Sequence, residues 1–199
     1  MVTFTGSLLS SDDDETAIRD AYVELHLDGS AFAAVPITDR TDDDPTSRGI
    51  GEITLVDDSI LLVDLLARWM ATRAGVWGTA TLTLGLTDPS TPDGSLNEAV
   101  EFVRAEDGPV RRMRGTRRLT GDVRSSVAVD LAAVDSLQQR LVVSYEALSG
   151  LLQWFGLPEP TQLLPDGMIV PSEFLMSRYR QVVQWARDNG VACKTLRGT

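Results

Sequence analysis

SVAVDLAAVDSLQQRLVVSYEALSGLLQWFG, residues 126–156, is the stretch from which the rest of the chain can be read. Val127 to Leu131 reads as a short strand, and the residues after it read as a long helix ending at Trp154-Phe155-Gly156. Leu137, Leu141, Val142, Tyr145, Leu148, Leu151, Leu152 and Phe155 recur at three- and four-residue steps. That spacing lays one apolar stripe along a helix. A stripe of about five turns needs a broad partner surface, and alternating segments elsewhere supply one. The expected class is α+β: a mixed, mostly antiparallel sheet packed against two or three helices.

Downstream, Pro158 and Pro160 stop the helix. Leu163 to Val170 reads as a strand or irregular hairpin around Asp166-Gly167. Ser172 and Glu173 open a last helix carrying Phe174, Leu175, Tyr179, Val182, Val183 and Ala186, with Asn189-Gly190 as its stop.

Upstream, Trp77 to Leu86 is the cleanest strand. Ala80, Leu82, Leu84 and Leu86 face one way, and Thr79, Thr81, Thr83 and Gly85 face the other, wetter way. A strand is expected near the N-terminus, then a hairpin: Val23, Leu25 and Leu27 alternate, Asp28-Gly29-Ser30 turns, and Phe32 to Ile37 returns. Thr38 to Gly51 reads as a polar loop and Glu52 to Val56 as a short strand. Asp57-Asp58-Ser59 then caps a helix through Ile60, Val63, Leu66, Trp69 and Met70, ending at Gly75. Ala99 to Arg104 and Val110 to Leu119 form a second expected hairpin. The order hairpin, strand, helix thus recurs. The chain reads as a single domain, 1–199, with two similar halves, 1–88 and 96–199, joined by a Pro/Gly loop at 88–95.

The 199 residues suffice for a sizeable core. With one cysteine, Cys193, and one histidine, His26, the chain cannot assemble a disulfide framework or a usual His/Cys zinc site. No metal or other cofactor is expected. No apolar run approaches a membrane span, and Met1 to Gly6 lacks the pattern of a secretory leader. The expected location is the cytoplasm, with no membrane partner. A net charge of −11 opposes broad attraction to nucleic acid.

Locally the charge is different. Arg104, Arg111, Arg112, Arg114, Arg117 and Arg118 cluster around one hairpin, and their planar guanidinium groups suit phosphate or carboxylate. The alternative is a solvated hairpin pairing with the acidic loops at 12–15, 42–44 and 57–58. Trp154 and Phe155, with Trp185, form a second candidate contact, although such residues more often close a core. Asp57, Asp58 and Asp130 are carboxylates that distant residues would have to complete into a catalytic site. Gly49-Ile50-Gly51 is too short for a dinucleotide fingerprint and precedes an expected strand rather than a helix.

Ala21-Tyr22-Val23-Glu24-Leu25-His26-Leu27-Asp28-Gly29-Ser30-Ala31, the helix at 60–74 and Gly75-Val76-Trp77-Gly78 resemble the region following the DNA-binding domain in some actinobacterial AlbA-like (Schlafen-type) proteins. The resemblance spans residues 21–86 and does not include the AlbA-like domain itself. It implies an accessory or assembly module and carries no activity onto any residue.

Three functions follow as expectations. The first is a noncatalytic bacterial interaction module that binds a protein partner or itself. The second is a nucleic-acid-binding accessory module using the arginine hairpin. The third is an enzyme whose carboxylates converge only in space.

Overall fold

The computed structural model describes residues 2–8, 19–26, 29–35, 48–72, 77–88, 91–105, 112–114, 119–174 and 179–194. The class is α+β, with three α-helices among the described residues and strands divided among three small sheets rather than gathered in one.

β1 (Val2–Leu8), β2 (Arg19–Leu25) and β3 (Ala31–Ala34) form an antiparallel meander. The expected hairpin between β2 and β3 is present, with Leu25 across from Ala31 and Gly29 at φ 86°; Asp28 lies outside the described residues. β4 (Arg48–Gly51) follows and runs directly into α1 (Glu52–Thr72).

This corrects the expectation of a strand at 52–56 and of a cap at 57–59. Glu52, Leu55, Val56, Ser59 and Val63 are all buried, and their spacing is helical. The helix therefore begins at Glu52, about two turns before the start that the capping residues suggested. Asp57 and Asp58 lie inside it, Asp58 buried. Within the expected loop at 38–51, residues 48–51 are strand; residues 38–47 lie outside the described residues.

β5 (Thr79–Leu86) comes next and keeps the expected alternation. β6 (Leu96–Ala105) runs parallel to β4 and antiparallel to β7 (Arg112–Arg114) and β8 (Leu119–Gly121). β9 (Val123–Asp130) returns to pair with β5 along its whole length. Partnerships thus join the two expected halves: β4 with β6, β5 with β9, and α1 with α2 (Leu137–Trp154).

The handover from β9 to α2 is built from local hydrogen bonds. Asp130 accepts from Ala132 N at 3.0 Å and caps a short 3-10 turn, Leu131–Ala133. Ser136 then forms a capping box: its Oγ accepts from Gln139 N, while Gln139 Oε1 accepts from Ser136 N, each at 3.2 Å. Helix α2 lays the expected stripe on the β5–β9 sheet. Leu141, Leu148, Leu151 and Leu152 are completely buried, as is Val123 beneath them. Each such side chain contributes about 1.5–3 kcal/mol of burial.

The C-terminal part closes the same core. Leu163 bridges Ile169, which in turn bridges Cys193. Pro171–Glu173 is a 3-10 turn followed by Phe174 in extended conformation, and α3 (Tyr179–Asp188) is a separate element. The last helix therefore does not run continuously from Ser172, because Pro171 and Phe174 hold their own turn. Gly190, at φ 67°, provides the expected stop. No helix among the described residues is long and apolar enough to cross a membrane.

Candidate interaction surface

The β5–β9 sheet shows α2 one face and solvent the other. Leu84, Leu86, Val123 and Val129 are buried on the inner face. Thr79, Thr81, Thr83 and Gly85 of β5, and Arg124, Ser126, Ala128 and Asp130 of β9, are exposed on the outer one. Thr83 Oγ1 and Ser126 Oγ hydrogen-bond across it at 2.8 Å.

The register decides where the backbone groups point. Leu131 N–H donates to Gly78 O at 2.9 Å, so this is a hydrogen-bonded pair. Such pairs alternate along an antiparallel ladder, which makes Val129/Ala80, Val127/Leu82, Ser125/Leu84 and Val123/Leu86 the next ones. Thr79, Thr81, Thr83 and Gly85 therefore turn their N–H and C=O groups away from β9. Arg124, Ser126, Ala128 and Asp130 turn theirs away from β5. An independent contact fits this phase: Trp154 Nε1–H donates to the outward Arg124 O at 2.9 Å.

The two edges differ chemically. The β9 edge carries Arg124, ion-paired with Asp122, together with Asp130 and the capping Trp154. Charges along an edge hinder another strand from docking. From Thr79 to Leu86, β5 carries neither a charge nor a proline. Among the described residues no strand pairs with its outer side. Ala80 and Leu82 on its inner face are only half-buried.

The arginine hairpin is described in part. Arg104 lies in β6 across from Met113, Arg112 pairs with Ala105, and Arg114 pairs with Val103. Arg111, Arg117 and Arg118 lie outside the described residues. The aromatic candidates separate: Phe155 is 0% exposed and belongs to the core, whereas Trp154 and Trp185 are partly exposed. Phe155 therefore closes the core and is not available to a partner.

Of the three candidate catalytic carboxylates, Asp57 and Asp58 lie on α1 and Asp130 at the end of β9. Asp130 is the cap of the 3-10 turn, and Asp58 is buried within α1. His26 Nε2 lies 3.2 Å from Glu24 Oε2, with both side chains partly exposed. Glu52 is a buried carboxylate at the start of α1 and accepts from Thr161 Oγ1 at 3.3 Å. A helix does follow Gly49-Ile50-Gly51, contrary to expectation, but this carboxylate occupies its positive end, where a phosphate would have to sit.

Apolar periodicity does not disclose two polar contacts of α2, one made by Arg140 beside the stripe and one by Tyr145 within it. Arg140 Nε donates to Asp64 Oδ1 at 2.6 Å, joining α2 to α1. Tyr145 donates its hydroxyl to Glu159. Burial first, and then that hydrogen bond, push the Tyr145 phenol above its ordinary value of 10.0. Burial likewise pushes the half-buried Cys193 thiol up from 9.0, away from the reactive thiolate. Among the described residues no three His, Cys, Asp or Glu side chains are grouped to hold a metal ion. No protein-family model, curated protein or solved structure matches the chain.

Proposed function

We propose that the chain is a noncatalytic protein-interaction module whose β5 edge takes up an extended segment of a protein. The observation that supports this is the row of outward N–H and C=O groups at Thr79, Thr81, Thr83 and Gly85, without a strand partner among the described residues and on a strand that itself carries no charge. Such an edge reads main chain: an added strand satisfies its hydrogen bonds, and the alternating side chains set which strand fits. An assembly role is also what the resemblance over residues 21–86 implies.

The test is a photo-crosslinking amino acid placed at Thr81, and separately at exposed Glu146 as a control, in cells that make the protein natively. A protein adduct formed from position 81 and absent from position 146 is the expected result. Equal or no adduct at position 81 would remove the reading.

A second reading attaches to the arginine hairpin, because β6 and β7 place Arg104, Arg112 and Arg114 on paired strands. It makes the chain a nucleic-acid-binding accessory module. Fluorescence anisotropy with labelled single- and double-stranded oligonucleotides would then show binding that falls with salt and weakens in the Arg112→Ala/Arg114→Ala variant. No binding at low salt sinks it.

A further inference from the structure

We infer that the strand seated on β5 is β5 of a second copy of this chain, antiparallel to the first and related to it by a two-fold axis at Leu82. This rests on the interaction reading above and adds the identity of the partner and its register.

The phase of the backbone groups selects the register. Only odd-numbered residues of β5 point their N–H and C=O groups outward, so an added copy must set odd against odd. Placing the axis at Leu82 uses all four: Thr79 faces Gly85 of the second copy, and Thr81 faces its Thr83. About eight backbone hydrogen bonds would form in that register. Moving the axis to Thr81 or Thr83 leaves outward residues of β5 without partners.

The side chains agree with the same axis. On the outer face, Thr81 meets Thr83, a favourable cross-strand pair. On the inner face, Leu82 meets Leu82 and Ala80 meets Leu84, so half-buried Ala80 and Leu82 gain apolar cover. An axis perpendicular to the sheet keeps both copies of α2 on one side, as a four-stranded β9–β5–β5–β9 sheet with a continuous helical layer requires. Charge also favours this site. A chain of net charge −11 repels its own copies, and an eight-residue edge without a charged side chain lets two of them approach. The β9 edge, with Arg124, Asp130 and the Trp154 cap, does not.

The test is the molar mass of the purified full chain by light scattering over a dilution series. The wild type is expected to have the mass of two chains. Thr81→Glu/Thr83→Glu and Thr81→Lys/Thr83→Lys each set like charges opposite one another, and each is expected to weaken the dimer about a hundredfold or more. Mixing the two variants sets Glu opposite Lys and is expected to restore dimers containing one of each, which a folding defect would not allow. A wild type that stays monomeric would overturn the proposal, as would two charged variants that dimerise alone as the wild type does. The interaction reading fails separately. A monomer that still crosslinks through position 81 to a different protein keeps that reading and removes the second copy, whereas a monomer without adducts removes both.

Discussion

Arg140→Ala is expected to lose about 3–5 kcal/mol of folding stability, the range for breaking a buried charge pair from one side. Arg140 is 7% exposed although charged. Its Nε donates to Asp64 on α1 at 2.6 Å, and its Nη1 donates to Val134 O and Asp135 O, each at 2.9 Å. One guanidinium therefore holds α1, α2 and the segment that enters α2. Alanine would leave Asp64 to Arg68, an exposed i,i+4 partner of small worth, and would remove a donor from two carbonyls. Lysine cannot reproduce the fork, because an ammonium is a single point charge. Equilibrium urea unfolding decides the matter: the midpoint should fall by roughly 1–2 M if the slope is about 2–3 kcal/mol per molar. A loss under about 1 kcal/mol would mean that the pair contributes no more than a surface contact.

Gly150→Ala should destabilise the protein, reversing the usual sign. In the interior of a helix this exchange normally gains about 1 kcal/mol. Gly150 lies on α2 where the helix approaches β9, and a Cβ there would stand 2.0 Å from Ser125 Oγ and 3.0 Å from Ser125 Cβ. The overlap forces Ser125 or the helix to move, costing about 1–3 kcal/mol more than the helical gain returns. Ser125→Ala removes the closer atom. In that background Gly150→Ala should cost under about 1 kcal/mol, giving a coupling of about 1–2 kcal/mol in a double-mutant cycle. A stabilised Gly150→Ala single variant would show that the two elements do not approach as closely as the structure has them.

Much of the fold was legible because it is written in local periodicity. Helix α2 buries Leu141, Leu148, Leu151 and Leu152 as its spacing predicts, and β5 alternates as TATLTLGL requires. The β2–β3 hairpin, with Gly29 at positive φ, forms where the sequence places a turn. The start of α1 was not legible. Glu52 to Val56 is short enough to fit either a strand or a helix, and Asp57-Asp58-Ser59 imitates a cap. Its burial against the remainder of the core decided for helix.

The interaction surface divides along the same line. By itself the sequence determined that Thr79, Thr81 and Thr83 share a wet face of β5 and that this strand carries no charge, since both depend only on residue order and the two-residue period of a strand. Tertiary structure alone decided that β5 takes β9, forty residues further on, as its partner, and so which of its backbone groups turn outward. Only tertiary structure, likewise, set Arg140 against Asp64. Periodicity states which residues share a face. Which element covers that face, and which edge stays open, depends on contacts between segments far apart in the chain, and no local pattern encodes those.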